Sequence, residues 1–318
     1  MTIQQSNQIS TSCIAGIGVN KQHTPTRIDI CAIVITYHPD GDLSERLNRI
    51  IDQVGGFIIV DNHSSEVCLK MIKMLSTQMK INLIVNKENV GIATALNQGI
   101  SYAIKCGYNW ALTLDQDTIP YPTMVQNLLT AYYDCQFKER VGIIGTNFQE
   151  RKTGKELLSI KNREKRSWLE ISEVITSGSL VSLQIFEEAG PFRDDFFIDL
   201  VDFEYCLRLR YMGYKVIVTS EVGMIQSYGD CKMKKFIWVN KVVRNYPPLR
   251  SYYRTRNALT MIREYFWREP RWVLYRLLTI ILIRPLSIIL FEDNKTLKVK
   301  YILLGIYHSL LSKQGKLK

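Results

Sequence analysis

From Ile28 onward the apolar and polar positions of this chain alternate in blocks. Ile30-Cys-Ala-Ile-Val-Ile-Thr36 is an unbroken apolar run, the pattern of a strand covered on both faces. Asp42 to Val54 carries Leu43, Leu47, Ile50, Ile51 and Val54 at helical spacing and predicts a helix. Phe57-Ile-Ile-Val60 reads as a second strand that stops at Asp61. A helix is expected through Met71–Met79 and a third strand over Ile81–Val85. Asn89-Val-Gly91 opens a helix running to about Lys105, and Trp110–Leu114 is a fourth strand. Pro120 stands where a helix could start, and Val141–Ile144 is a fifth strand. Strand and helix at this rhythm predict an α/β fold, Rossmann-like, with a mostly parallel sheet and helices on both faces. Parallel neighbours need crossover connections.

After Glu173 a strand is expected over Val174–Leu183, interrupted by Gly178. A helix is predicted over Phe203–Met212 with Gly213 closing it, then a strand over Tyr214–Val218. Between Trp272 and Phe291 the chain is strongly apolar, yet Arg276, Arg284 and Pro285 interrupt it. Its uncharged stretches there reach seven residues, far below the ~20 that span a bilayer. Arginines beside Trp272 and Tyr275 fit a helix lying on an anionic membrane surface. The other reading is a helical subdomain whose apolar side closes on the preceding domain.

Length and charge sharpen this picture. The 318 residues provide for one large α/β domain and an appendage. Of the net charge of +11, residues 1–230 contribute 22 Lys+Arg against 26 Asp+Glu, and residues 231–318 contribute 19 against 4. The basic partner surface therefore belongs to the tail, and since no nucleic-acid reading motif accompanies it, a membrane is expected and nucleic acid is not. Seven scattered cysteines without Cys-x-x-Cys spacing argue for reduced thiols in a cytoplasm. Residues 1–27 are polar, lack a basic start and read as a flexible leader.

Trp110-Ala-Leu-Thr-Leu-Asp-Gln-Asp-Thr118 carries the most chemistry. Positions two apart on a strand share a face, so Asp115 and Asp117 would sit together at a strand's carboxyl end, where α/β sheets bind ligands. Paired carboxylates suit Mg²⁺ or Mn²⁺ completed by substrate phosphates; a solvated turn is the plainer alternative. Asp61 either grips a nucleoside or closes an Asx turn. Asn89 to Asn97 opens a helix with a small-residue turn at Gly91, suited to a diphosphate. In Phe196–Arg208, Asp199, Asp202 and Glu204 lie among aromatics before a helix. One of them could be a general base, and Arg208 could pair with another.

These motifs, taken in order from about Asp29 to Arg263, resemble the family 2 glycosyltransferases, and within them the bacterial rhamnosyltransferase-like enzymes. The landmarks are Val34-Ile-Thr-Tyr37, Val60-Asp-Asn62, Asn89-Val-Gly-Ile-Ala93 with Asn97, and Leu114-Asp-Gln-Asp-Thr118. They continue with Gly190-Pro-Phe192, Phe196–Asp202 and Pro248–Asn257. The resemblance implies a GT-A fold over residues 28–235, followed by a basic amphipathic helical region at 236–318. It implies inverting, metal-dependent transfer from a nucleoside-diphosphate sugar, with dTDP-L-rhamnose expected and a UDP-sugar the alternative. The implied acceptor is a lipid-linked oligosaccharide at the inner face of the plasma membrane. A catalytically silent binding protein is the reading from another class.

Residue by residue, the resemblance assigns Thr36, Tyr37, Asp61, Asn89, Gly91, Asn97, Asp115 and Gln116 to the donor, Asp115 and Asp117 to Mg²⁺ or Mn²⁺, and Asp202 to the base. Two departures stand out. Val201 occupies the place of an acid that precedes the base in the family, leaving Asp199 as the nearby substitute. Gln226 stands where many relatives carry a metal-contacting His, before Gly229-Asp230.

Overall fold

The computed structural model describes residues 25–160, 166–227, 231–236 and 239–317, with backbone alone for 231–244. Most of the expected leader, Cys13, the charged stretch at 161–165 and the Gly-Asp pair at 229–230 lie outside the described residues.

Four parallel strands make the first half of the sheet: β1 (Ile30–Thr36), β2 (Gly56–Asp61), β3 (Asn82–Val85) and β4 (Trp110–Asp115), in the order β3-β2-β1-β4. The apolar run of β1 divides by parity. Cys31, Ile33 and Ile35 pack into one core, and Ile30, Ala32 and Val34 into the other. Both faces are therefore covered, as the unbroken run requires. Helices α1 (Leu43–Asn48) and α2 (Glu66–Gln78) cover the second core, and α3 (Ile92–Lys105) covers the first. The expected helix over Asp42–Val54 breaks after Asn48 into a separate turn of 3-10 helix at Ile51–Gln53. α2 begins before Met71, because the Ser65 hydroxyl accepts the Cys68 amide and caps it.

The second half is mixed. β5 (Ile119–Pro120), β6 (Val141–Glu150), β7 (Trp168–Glu170), β8 (Ser179–Ser182) and β9 (Lys215–Gln226) continue the order as β4-β8-β6-β9-β5, with β7 also on β9. β8 runs antiparallel to both β4 and β6, whereas β6 and β9 are parallel. Pro120 starts no helix: it lies in β5, opposite Met224, and α4 (Met124–Asp134) begins four residues later. The expected strand over Val174–Leu183 shrinks to β8. Gly178, at φ +75, turns the chain, and Leu183 starts α5 (Leu183–Ala189). α6 (Val201–Tyr211) follows, and β9 runs on well past Val218 to Gln226.

The tail is not helical throughout. β10 (Cys231–Phe236) and β11 (Val239–Arg244) form an antiparallel hairpin before α7 (Pro248–Tyr265). Ala258, Met261, Ile262 and Tyr265 of α7 complete the core under α6. α8 (Pro270–Leu278), a π turn at Thr279–Ile283, and α9 (Arg284–Phe291) make one helix of 22 residues, within which an 18-residue stretch has a mean hydropathy of 2.0. It is long and apolar enough to cross a membrane by length and composition. Arg276 and Arg284 bound the seven-residue uncharged runs seen in the sequence and are the two charges within its apolar stretch. In the fold Arg276 pairs with Glu173 and Arg284 with Glu292. α10 (Lys295–Leu310) returns along α7, anchored by Lys298, buried against Glu292 at 2.8 Å.

Candidate active site

Strand register builds the site. Thr36 of β1 lies opposite Asp61 of β2, and Ile35 lies opposite Asp115 of β4, so three adjacent carboxyl ends share one ledge. Two clefts open on it. One, of about 340 Å³, is lined by Tyr37, Asn62, Asn89, Gly91, Asp117 and Phe197. The other, of about 290 Å³, is lined by Asp199, Asp202, Gln226, Arg250 and Arg254. Asp115, Ile92 and Ile198 border both.

Asp115 is held in place more than it is neutralised. Its amide donates to Ser177 Oγ at 3.1 Å, and its Oδ2 accepts from Gln226 Nε2 at 3.1 Å. Thr118 Oγ1 in turn donates to Gln226 Oε1 at 2.7 Å. Burial first, then the charges of Asp117 and Asp202, push the Asp115 carboxyl up to about 7. Burial also raises Asp117, against its own backbone amide and the charge of Arg151. Two crowded carboxylates with no Lys or Arg salt bridge among the described residues fit a divalent ion, which would relieve their repulsion. Among the described residues no group of three or more His, Cys, Asp or Glu is arranged to hold a metal. Asp115 and Asp117 could offer such an ion two carboxylates, with phosphate and water as further ligands.

Asp202 sits in the first turn of α6, where its Oδ1 accepts the Phe203 amide at 3.0 Å. Burial, together with Asp199 and Glu173, pushes its carboxyl up to about 6. Asp199 is differently placed. Arg250 grips both of its oxygens, at 3.0 and 2.6 Å, so the substitute acid expected from sequence is a neutralised carboxylate. Glu204 pairs with Arg208 at 3.0 Å and accepts from Tyr265, which removes it from the clefts.

The segment that separates the clefts is strained. Phe197, Asp199 and Leu200 all have positive φ, 65°, 67° and 65°, at about 1–3 kcal/mol each. The buried Asn257 amide holds it by donating to the carbonyls of Phe196, Ile198 and Asp199 at 3.1, 2.9 and 2.9 Å. Arg256, fully buried, adds bonds to the Asp195 and Phe196 carbonyls. From the other side Ile92 N donates to Phe197 O at 2.7 Å. A Cβ on Gly91, at φ +87, would lie 2.5 Å from that same oxygen. Glycine is required there for close approach as well as for the turn.

The sequence-derived donor residues fall in three places. Tyr37, Asn89, Gly91, Asp115 and Gln116 line the larger cleft. Gln116 also pairs with both backbone groups of Tyr37, at 2.7 and 3.1 Å, and so fixes the chain there. Thr36 and Asp61 are fully buried behind the ledge, where the Thr36 hydroxyl and the Ser64 amide both donate to Asp61. Asn97 faces away: it donates to Phe192 O and Asp194 Oδ1 and accepts the Phe192 amide, bracing the Gly190-Pro-Phe192 turn. Asn62, Arg250, Arg254 and Asn257 were not singled out from sequence, although all four lie in landmark motifs, Asn62 beside Asp61 and the other three within Pro248–Asn257.

A sheet of this order with carboxylates on its ledge defines a GT-A glycosyltransferase. Residues 31–189, half of the chain, match the family model described as Glycosyl transferase family 2, and the protein belongs to that family. It is a rhamnosyltransferase-like member: over 248 residues it is 29% identical to the dTDP-rhamnosyl transferase RfbF of Shigella flexneri. That match covers 74% of this chain and 80% of the relative. The mannosyltransferase PcManGT from Pyrobaculum calidifontis, solved with GDP-Man and Mn²⁺, shares the fold at a TM-score of 0.54 and 15% identity. It is covered over 88% of its chain and matches 90% of this one. S. aureus TarS is similar at a TM-score of 0.51 and 12% identity, over 73% of this chain and 39% of TarS.

Proposed function

We propose that the protein transfers L-rhamnose from dTDP-L-rhamnose, with inversion and with a divalent cation, to a lipid-linked oligosaccharide acceptor of cell-surface polysaccharide synthesis. The observation that carries this reading is the shared border at Asp115. The cleft with Asn89, Gly91 and Asp117 suits a nucleoside diphosphate, and the cleft with Asp202 suits an acceptor hydroxyl. A sugar lying across that border would have its leaving group on one side and its attacker on the other. One displacement then gives inversion.

Asp115 and Asp117 would hold the cation, which when bound stabilises charge on the departing phosphate oxygens. Asp202 takes the acceptor proton. Its raised proton affinity makes it a better base than an ordinary carboxylate and still leaves it ionised near neutral pH. Base assistance of this kind is worth about 10²–10⁴-fold. The named activity of the Shigella relative supports the choice of donor. The exposed apolar side of the 22-residue helix and the basic tail support a position on the inner membrane face, where a lipid-linked acceptor resides.

A panel of dTDP-rhamnose, UDP-hexoses and GDP-mannose, each with purified protein and Mg²⁺ or Mn²⁺, tests the reading. Release of nucleoside diphosphate and transfer product should be fastest with dTDP-rhamnose. A clear UDP-hexose preference would refute the donor, and binding of sugar nucleotides without any turnover would favour a silent module.

A further inference from the structure

The acceptor cleft does not end at Asp202. Arg254, with Leu200, also lines a cavity of about 40 Å³ beneath the apolar helix, room for roughly three waters or one phosphate group. Its polar wall includes Arg254, Arg276 and Arg284 and no carboxylate. The balancing acids stand behind: Glu173 takes Arg276 at 3.1 Å and Glu292 takes Arg284 at 2.8 Å. On the catalytic side Arg250 is likewise matched, by Asp199. Arg254 alone of the four has no acid partner among the described residues. Its guanidinium lies 4.9 Å from the centre of the Tyr246 ring, a contact that leaves its N–H groups available.

We propose that Arg254, flanked by Arg276 and Arg284, binds the phosphate or diphosphate through which the acceptor is joined to its lipid. This rests on the reading that the acceptor is lipid-linked, and it assigns that acceptor's anionic link a place. Guanidinium groups match phosphate oxygens with paired, charge-assisted hydrogen bonds. The position accounts for the two ends of such a molecule. On one side the cavity meets the cleft of Asp202, where the sugar hydroxyl must reach. On the other it is walled by Thr279, Ile280 and Arg284 of the apolar helix, whose outward face carries Leu278, Ile281, Leu282 and Leu286, each about half exposed or more. A lipid tail leaving the cavity along that face stays in an apolar setting. Charge complementarity, not the apolar face alone, selects the ligand.

The test is equilibrium binding to the full-length, metal-free protein, with farnesyl diphosphate, farnesol and inorganic pyrophosphate as probes. Farnesyl diphosphate should bind at least tenfold tighter than either of the others, and Arg254→Met should lose at least tenfold of that affinity. Arg254→Lys should recover part of it. Equal binding of farnesyl diphosphate to the native protein and Arg254→Met would overturn the proposal. Pyrophosphate as tight as the farnesyl compound would overturn its lipid part, and Arg254-dependent capture of phosphatidylglycerol vesicles with no diphosphate binding would overturn the assignment to the acceptor's link. Affinity for dTDP with Mg²⁺ should be unchanged in Arg254→Met, which certifies the fold of the variant. Failure of dTDP to bind the native protein would count against the donor reading and leave the phosphate site to be judged on the farnesyl probes.

Discussion

Replacing Asp202 by Asn should damage catalysis and improve stability together, because one physical cause lies behind both. The carboxyl moves from an ordinary 3.8 to about 6 mainly because burial penalises its ionised form. Ionising it in the fold therefore costs about 3 kcal/mol. The sign follows from linkage. Relative to alkaline pH, this group favours the fold below pH 4, and the advantage fades as pH rises through about 6. Asparagine keeps the shape and the oxygen that accepts the Phe203 amide, but it never ionises. Urea unfolding in chelator should thus show Asp202→Asn more stable than the native protein at pH 8, by up to about 3 kcal/mol, with the gap closing near pH 4. Transfer at pH 8 should fall by about 10²–10⁴-fold. The native rate should rise with pH through about 6 as the base loses its proton. An advantage of the variant over the native protein no larger at pH 8 than at pH 4 would refute the burial argument, and full activity would remove Asp202 as the base.

Three further outcomes are expected. Asp117→Asn should weaken Mn²⁺ binding by at least about tenfold, read by titration in the presence of dTDP, because one of two anionic ligands is lost; an unchanged affinity would place the ion elsewhere. Gln226→His should tighten Mn²⁺ binding severalfold at pH 8, since imidazole is a better ligand than an amide and Gln226 already touches Asp115. No change would mean that this position serves only to tether the carboxylate. Asn257→Leu strands the carbonyls of Ile198 and Asp199, while Phe196 keeps its bond to Arg256. It should cost about 2–4 kcal/mol in urea unfolding, and a loss below about 1 kcal/mol would show that the strained segment is held by other contacts.

What could be read from sequence was what depends on near neighbours. The first half of the sheet announced itself because each strand is a short apolar run buried on both faces. Asp115 and Asp117 were visible because strand geometry puts alternate residues on one side. The antiparallel β8 was harder to foresee: four buried residues look alike in either direction, and only their pairing with β4 and β6 gives the sense. Pro120 misled because the first turn of a helix and the edge of a sheet both tolerate a missing amide hydrogen. Asn257 and Arg250 act on a segment more than fifty residues earlier in the chain, and the need for them comes from backbone angles that no local pattern encodes. Asp199 looked like a spare acid for the same reason, since its arginine was out of sight.

The backbone hydrogen bond from Ile92 N to Phe197 O joins the turn expected to cradle the diphosphate to the loop that borders the proposed acceptor cleft. Under the proposed function, specificity for the two substrates is mechanically shared. A graft that exchanged residues 196–201 for those of a relative, to redirect the acceptor, would press on the Gly91 turn and alter donor handling as well. Engineering this protein as independent modules should therefore fail, and exchanging both segments together should succeed.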